Sequence, residues 1–203
     1  MLVYADVGSV PKGNFAWWSN AREEGTSPES LSAAVASALL SGQSVALGFE
    51  CPLFVPIPER EFELGKSRIG EGNRAWSAGA GAGALAAGLV QVCWVLQKIR
   101  ASVPERIIGC MPWSTFLESQ PSLLIWEAFV SGSAKGNTHL ADAERAVNAF
   151  ERSLPNPSVS SAISPSGATY SLADAALLRT GWSTDIAFLQ QACIVIRADK
   201  NEP

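Results

Sequence analysis

Leu2-Val3-Tyr4-Ala5-Asp6-Val7-Gly8-Ser9 is the stretch on which the fold turns: an unbroken apolar run that carries one carboxylate and closes on Gly-Ser. Such a run fits a strand covered on both faces, because a strand with one wet face alternates apolar with polar residues. A buried ionised carboxylate without a partner is costly, so Asp6 either caps the turn that follows it or faces a metal ion or substrate.

The pattern returns twice. Ser44-Val45-Ala46-Leu47-Gly48-Phe49-Glu50 is again an apolar run ending in an acid, and Cys51-Pro52-Leu53 then takes the chain out of the sheet. Ser122-Leu123-Leu124-Ile125-Trp126-Glu127 is the third. Carboxylates gathered at strand ends repel one another unless cations sit among them, and magnesium or manganese takes oxygen ligands of this kind. A fourth element, Thr138-His139-Leu140-Ala141-Asp142-Ala143, opens a helix that runs through Phe150 and stops before Pro155. His139 and Asp142, three apart, share a face of it. Two plainer readings stay open: Asp142 as a first-turn acid favoured by the helix dipole, and His139 as an ordinary exposed side chain.

The segments between fill in an α/β chain. Phe15-Ala16-Trp17-Trp18 is expected to pair with the first strand as a hairpin, and no clear third strand shows between Trp18 and Ser27. Ser27 caps a helix with Pro28 at its first position, closed by Gly42. The charged, Pro- and Gly-containing stretch from Phe54 to Asn73 is a solvated connection or a flap that grips phosphate; Lys12, Arg68 and Arg74 are the cations assigned to phosphate. Ala78 to Leu96 has no charge, but its Ala/Gly content and Gln91 make it a poor membrane insert and a better buried helix. Its glycines lack the GK[ST] ending and the strand context of a phosphate loop, and the helix serves a subunit contact as readily as an internal one. Ser171-Leu172-Ala173-Asp174 reads as a capping box opening a helix that ends at Gly181, before a last strand at Cys193 to Ile196.

Composition narrows the function classes. With 203 residues, 47% hydrophobic and 17% charged, the expectation is one domain spanning residues 1–203. A formal charge of -4 argues against a broad basic face, so any nucleic-acid contact must be local. Asp6 interrupts what a secretory signal would need, and the expected location is cytoplasmic, without membrane insertion. One histidine and four widely spaced cysteines with no CxxC pair provide too few ligands for a tetrahedral zinc site.

The order of acids resembles the ribonuclease H-like superfamily: one on the first strand after Met-Leu-Val-Tyr-Ala, one in Gly-Phe-Glu-Cys-Pro-Leu, and a His-x-x-Asp-Ala helix later. RuvC-type resolvases carry the likeness for His139 and Asp142, and a family of RNase H-like nucleases carries it for Glu50-Cys51-Pro52-Leu53 and Trp126-Glu127. It covers Leu2 to about Phe150. The resemblance implies a mixed central sheet flanked by helices, the first acid on the central first strand, another on the fourth strand, and the last on a helix packed beside them. It further implies Asp6, Glu50 and Asp142 as ligands of magnesium or manganese, with His139 adjoining and Glu127 as a further acid, in a two-metal hydrolysis of DNA or RNA. Asp174 is the alternative last acid. Two rivals belong to other classes: a non-catalytic binding module of the same fold, and an actin-like or sugar-kinase ATP-binding domain suggested by Asp6-Val7-Gly8-Ser9 with Lys12-Gly13-Asn14.

Overall fold

The computed structural model describes residues 1–72, 75–130, 134–165 and 167–198. Strand β1 (Leu2–Asp6) is buried at every position, as its unbroken apolar run requires, and lies inside a seven-stranded mixed sheet. On one side it pairs antiparallel with β2 (Ala16–Ser19), which pairs antiparallel with β3 (Glu24–Gly25). On the other side β4 (Val45–Phe49) and then β7 (Ser122–Phe129) run parallel to it. The outer edge of β7 is shared: β6 (Ile108–Cys110) pairs with its first residues and β9 (Val195–Arg197) with its last. The expected hairpin and the three strands are therefore present, but β7 runs on past Glu127 to Phe129, so only the first two strands finish at their acids. The third strand that the sequence did not reveal is the two-residue β3.

Side chains alternate across the buried strands. Val3 and Ala5 of β1 and Leu123 and Ile125 of β7 enter one hydrophobic cluster; Leu2, Tyr4, Leu124 and Trp126 enter another on the opposite face. Helices α1 (Pro28–Leu40), α2 (Gly79–Ser102) and α5 (Leu172–Arg179) cover the first face. The second is covered by α4 (His139–Ser153), packed on β1 and β2, with the short α3 (Trp113–Glu118) beside β7. At Gly48 in β4 a Cβ would lie 2.3 Å from the Trp126 ring, so only glycine lets the indole cross the sheet face there.

Caps follow the sequence. Ser27 Oγ accepts from the Ser30 N–H at the start of α1, and Thr138 Oγ1 accepts from the Ala141 N–H at the start of α4. Ser171 Oγ accepts from the Asp174 N–H, but the Asp174 carboxylate has no partner, so half of the expected capping box forms.

Two expectations change. A two-stranded sheet joins β5 (Phe54–Pro56) to β8 (Thr169–Ser171), so the Phe54–Asn73 connection is fastened to the C-terminal part at its start. Helix α2 has the length and mean hydropathy (1.6) of a membrane span, yet Gly88, Val92, Val95, Leu96 and Ile99 are buried, and it packs on α1 and α5. Its N-terminal half is not the buried helix that composition suggested: Gly83, Ala86, Leu89 and Val90 are exposed.

Candidate metal centre

The parallel pairing of β1, β4 and β7 brings their C-terminal ends to one edge of the sheet, where a cavity of about 380 Å³ opens. Its polar wall holds Asp6, Glu50, Lys135 and His139; Ala80, Gly81, Gly83, Ala84 and Ala87 of α2 form the facing wall.

Three of the acids singled out by sequence meet at this edge, two of them, Asp6 and Glu50, lining the cavity itself. Asp6 closes β1, Glu50 directly follows β4, and Asp142 lies in the first turn of α4; carboxylate oxygens from all three lie within 4.8 Å of one another. Asp6 is 4% and Asp142 3% exposed, so solvent does little to separate their charges. Each carboxylate is held by neighbours. His139 Nδ1 is 2.5 Å from Asp6 Oδ2, its ring N–H donating to the carboxylate. The Tyr4 hydroxyl donates to Glu50 Oε2 at 3.3 Å. The Gly136 N–H donates to Asp142 Oδ1 at 2.5 Å, and the positive end of α4 favours that charge further.

The electrostatics are those of a cluster short of positive charge. Burial raises the Asp6 carboxyl from its ordinary value, against the opposing pull of His139. Burial, and then the neighbouring Asp6 charge, pushes Glu50 up to about 8, and a hydrogen bond to Asp6 favours its protonated form. The cation already present is Lys135, with Nζ 3.7 Å from Glu50 Oε1 and 3.6 Å from Asp142 Oδ2. Three converging carboxylates make a hard, all-oxygen donor set, and the raised values of Asp6 and Glu50 are those of a cluster in which a further cation would be electrostatically favoured. Such a donor set could hold a metal ion.

Other assigned residues lie elsewhere. Glu127 borders the cavity, but its carboxylate is 1% exposed and committed to Arg68: Nη1 donates to Oε2 at 2.8 Å and Nη2 to Oε1 at 2.6 Å, while the Leu53 N–H adds 2.9 Å to Oε2. Glu127 is therefore outside the three-acid cluster. Arg68 cannot serve as a phosphate grip in this arrangement, since its side chain is 1% exposed and also bonds Glu71 Oε1 and the Phe54 carbonyl. Lys12 is exposed on a short helical turn and does not border the cavity. Arg74 lies outside the described residues. Asp174, the alternative last acid, is buried in the first turn of α5 and joins no three-acid cluster among the described residues.

Sequence reasoning missed Lys135, Tyr4 and the Arg68–Glu127 pair. One signal pointed to Lys135: it is the only lysine or arginine between Glu127 and His139. Nothing local pairs Arg68 with a residue 59 positions away. The cysteines stay as thiols, three buried and Cys93 partly so, and burial pushes the Cys51, Cys110 and Cys193 thiols up, away from reactivity. No family model matches the chain, and no curated protein or solved structure is significantly similar to it.

Proposed function

We propose that this protein is a divalent-cation-dependent phosphodiesterase of the ribonuclease H-like kind that hydrolyses DNA or RNA. The observation that carries the proposal is the convergence of Asp6, Glu50 and Asp142 to within 4.8 Å from β1, the end of β4 and the start of α4. That distribution supports the fold reading as well: the first acid on an interior first strand, the second at the end of the fourth, the third on a helix packed against β1.

Asp6, Glu50 and Asp142 would hold magnesium or manganese, which supplies Lewis-acid polarisation of a phosphoryl oxygen and lowers the pKa of a bound water. The chain does the rest. His139 orients Asp6, and its ring, 44% exposed at the cavity, is placed to take a proton from the attacking water. Tyr4 and the Gly136 N–H fix the outer oxygens of Glu50 and Asp142, so the three acids are pre-oriented. Among the described residues of the cavity, Lys135 is the only lysine or arginine, which suits a local contact with a few phosphates better than a long basic track.

The test is thermal unfolding with and without excess manganese on the wild type and on Asp6→Asn, followed by cleavage assays on a panel of DNA and RNA substrates. A ligand that binds only the folded state raises its stability by mass action. Manganese should raise the wild-type midpoint, and Asp6→Asn should remove both that rise and the cleavage. Full activity in Asp6→Asn overturns the proposal. A non-catalytic binding module is the second reading, favoured by one observation: Lys135 already supplies the cluster with a cation.

A further inference from the structure

We propose that Lys135 is a displaceable counter-ion: its ammonium holds the place of a divalent cation between Glu50 and Asp142, and once displaced it becomes the residue that grips the substrate phosphate. The inference rests on the metal-dependent reading above and adds a residue that neither the sequence pattern nor the resemblance supplies.

Four observations carry it. The ammonium sits between two carboxylates at 3.7 and 3.6 Å, beyond ordinary hydrogen-bond distance, so it balances their charge without being anchored by either. The backbone on both sides is clamped: the Ala134 carbonyl accepts from Arg145 Nη1 at 2.6 Å, and the Gly136 N–H donates to Asp142 at 2.5 Å. The side chain is 38% exposed on a flexible four-carbon stem, so it can swing without moving the clamped loop. Finally, Arg68, the cation expected at the phosphate, is committed to Glu127 and Glu71, leaving Lys135 as the lysine or arginine that borders the cavity among the described residues.

Charge counting gives the direction. Once all three are ionised, the carboxylates carry three negative charges, and one ammonium offsets one of them. A divalent ion offsets two and competes directly for Glu50 and Asp142, so it gains from the departure of Lys135. A phosphodiester brings one negative charge into the cavity when it binds. A freed ammonium at the cavity edge is where that bound charge is met.

The experiment measures manganese binding by its effect on the thermal midpoint, for wild type, Lys135→Met, Lys135→Arg and Asp142→Asn, and then the steady-state kinetics of a short single-stranded oligonucleotide at saturating manganese. Lys135→Met should unfold at a lower temperature than wild type without ion, yet bind manganese on the order of tenfold more tightly, the size of one lost competing charge. It should raise KM more than it lowers kcat, and Lys135→Arg should restore KM. A merely structural lysine would lower the midpoint without tightening the ion. Wild type that binds manganese, with Asp142→Asn that does not and Lys135→Met no tighter than wild type, overturns this inference and leaves the phosphodiesterase reading standing. Absence of binding by wild type and Lys135→Met alike overturns both.

Discussion

Replacing Arg68 by methionine separates a structural arginine from a substrate-binding one. Methionine keeps most of the stem but removes the guanidinium that bridges Glu127 and Glu71, both 1% exposed. Afterwards Glu127 keeps the Leu53 N–H and Glu71 keeps the backbone N–H of residue 68, one bond apiece for two buried charges. Breaking a buried pair by removing one partner costs about 3–5 kcal/mol. Loss of about 4 kcal/mol at pH 7 is thus expected, the middle of that range. Urea unfolding followed by tryptophan fluorescence reads this as a midpoint lower by about 2 M at pH 7, for a slope near 2 kcal/mol/M. A variant that unfolds with the wild-type midpoint and loses only activity would refute the assignment and return Arg68 to the substrate.

Gly48→Ala should cost at least about 2 kcal/mol, because its Cβ would fall 2.3 Å from the Trp126 ring in a tightly packed layer; an unchanged midpoint counts against the packing described. Asp174→Asn should stabilise at neutral pH by on the order of 1 kcal/mol, since burial, and then Asp185, push the partnerless Asp174 up to about 6. Its folded value lies above the unfolded one, so wild-type stability falls as pH rises from about 4 towards 6, and the gain from asparagine should fade below about pH 4. Because Glu50 titrates at about 8 without an ion, manganese must displace a proton there; its apparent affinity should climb from pH 6 to 8, and a flat profile would contradict the cluster's charge balance.

The strand ends were legible because a strand buried on both faces leaves an unbroken apolar run, and an acid at its tip interrupts that run visibly. Asp6 and Glu50 were found in this way, and Asp142 through helical spacing from His139. Glu127 carried the same local signature and plays a different part, since its partner Arg68 comes from a loop whose path no local pattern records. Strand β3 was invisible because Glu24–Gly25 has no apolar signal, and β5 and β8 because their pairing joins distant parts of the chain. Lys135 went unnoticed for a related reason: a lone lysine among small residues looks like a solvated loop, and only the folded chain sets it between two carboxylates.

Helix α2 is held along its second half and from Gly88, where a Cβ would meet Cys51 Sγ at 2.4 Å, while the turns before it stand as one side of the cavity. Gly88 thus sets how closely the helix approaches the residue next to Glu50. Ala80 lies eight residues, or about 12 Å, from that contact at 1.5 Å per residue, so a tilt of about 5° about Gly88 would move the cavity wall by about 1 Å. A methyl group added at Gly88 would therefore change the width of the cavity without touching a single acid.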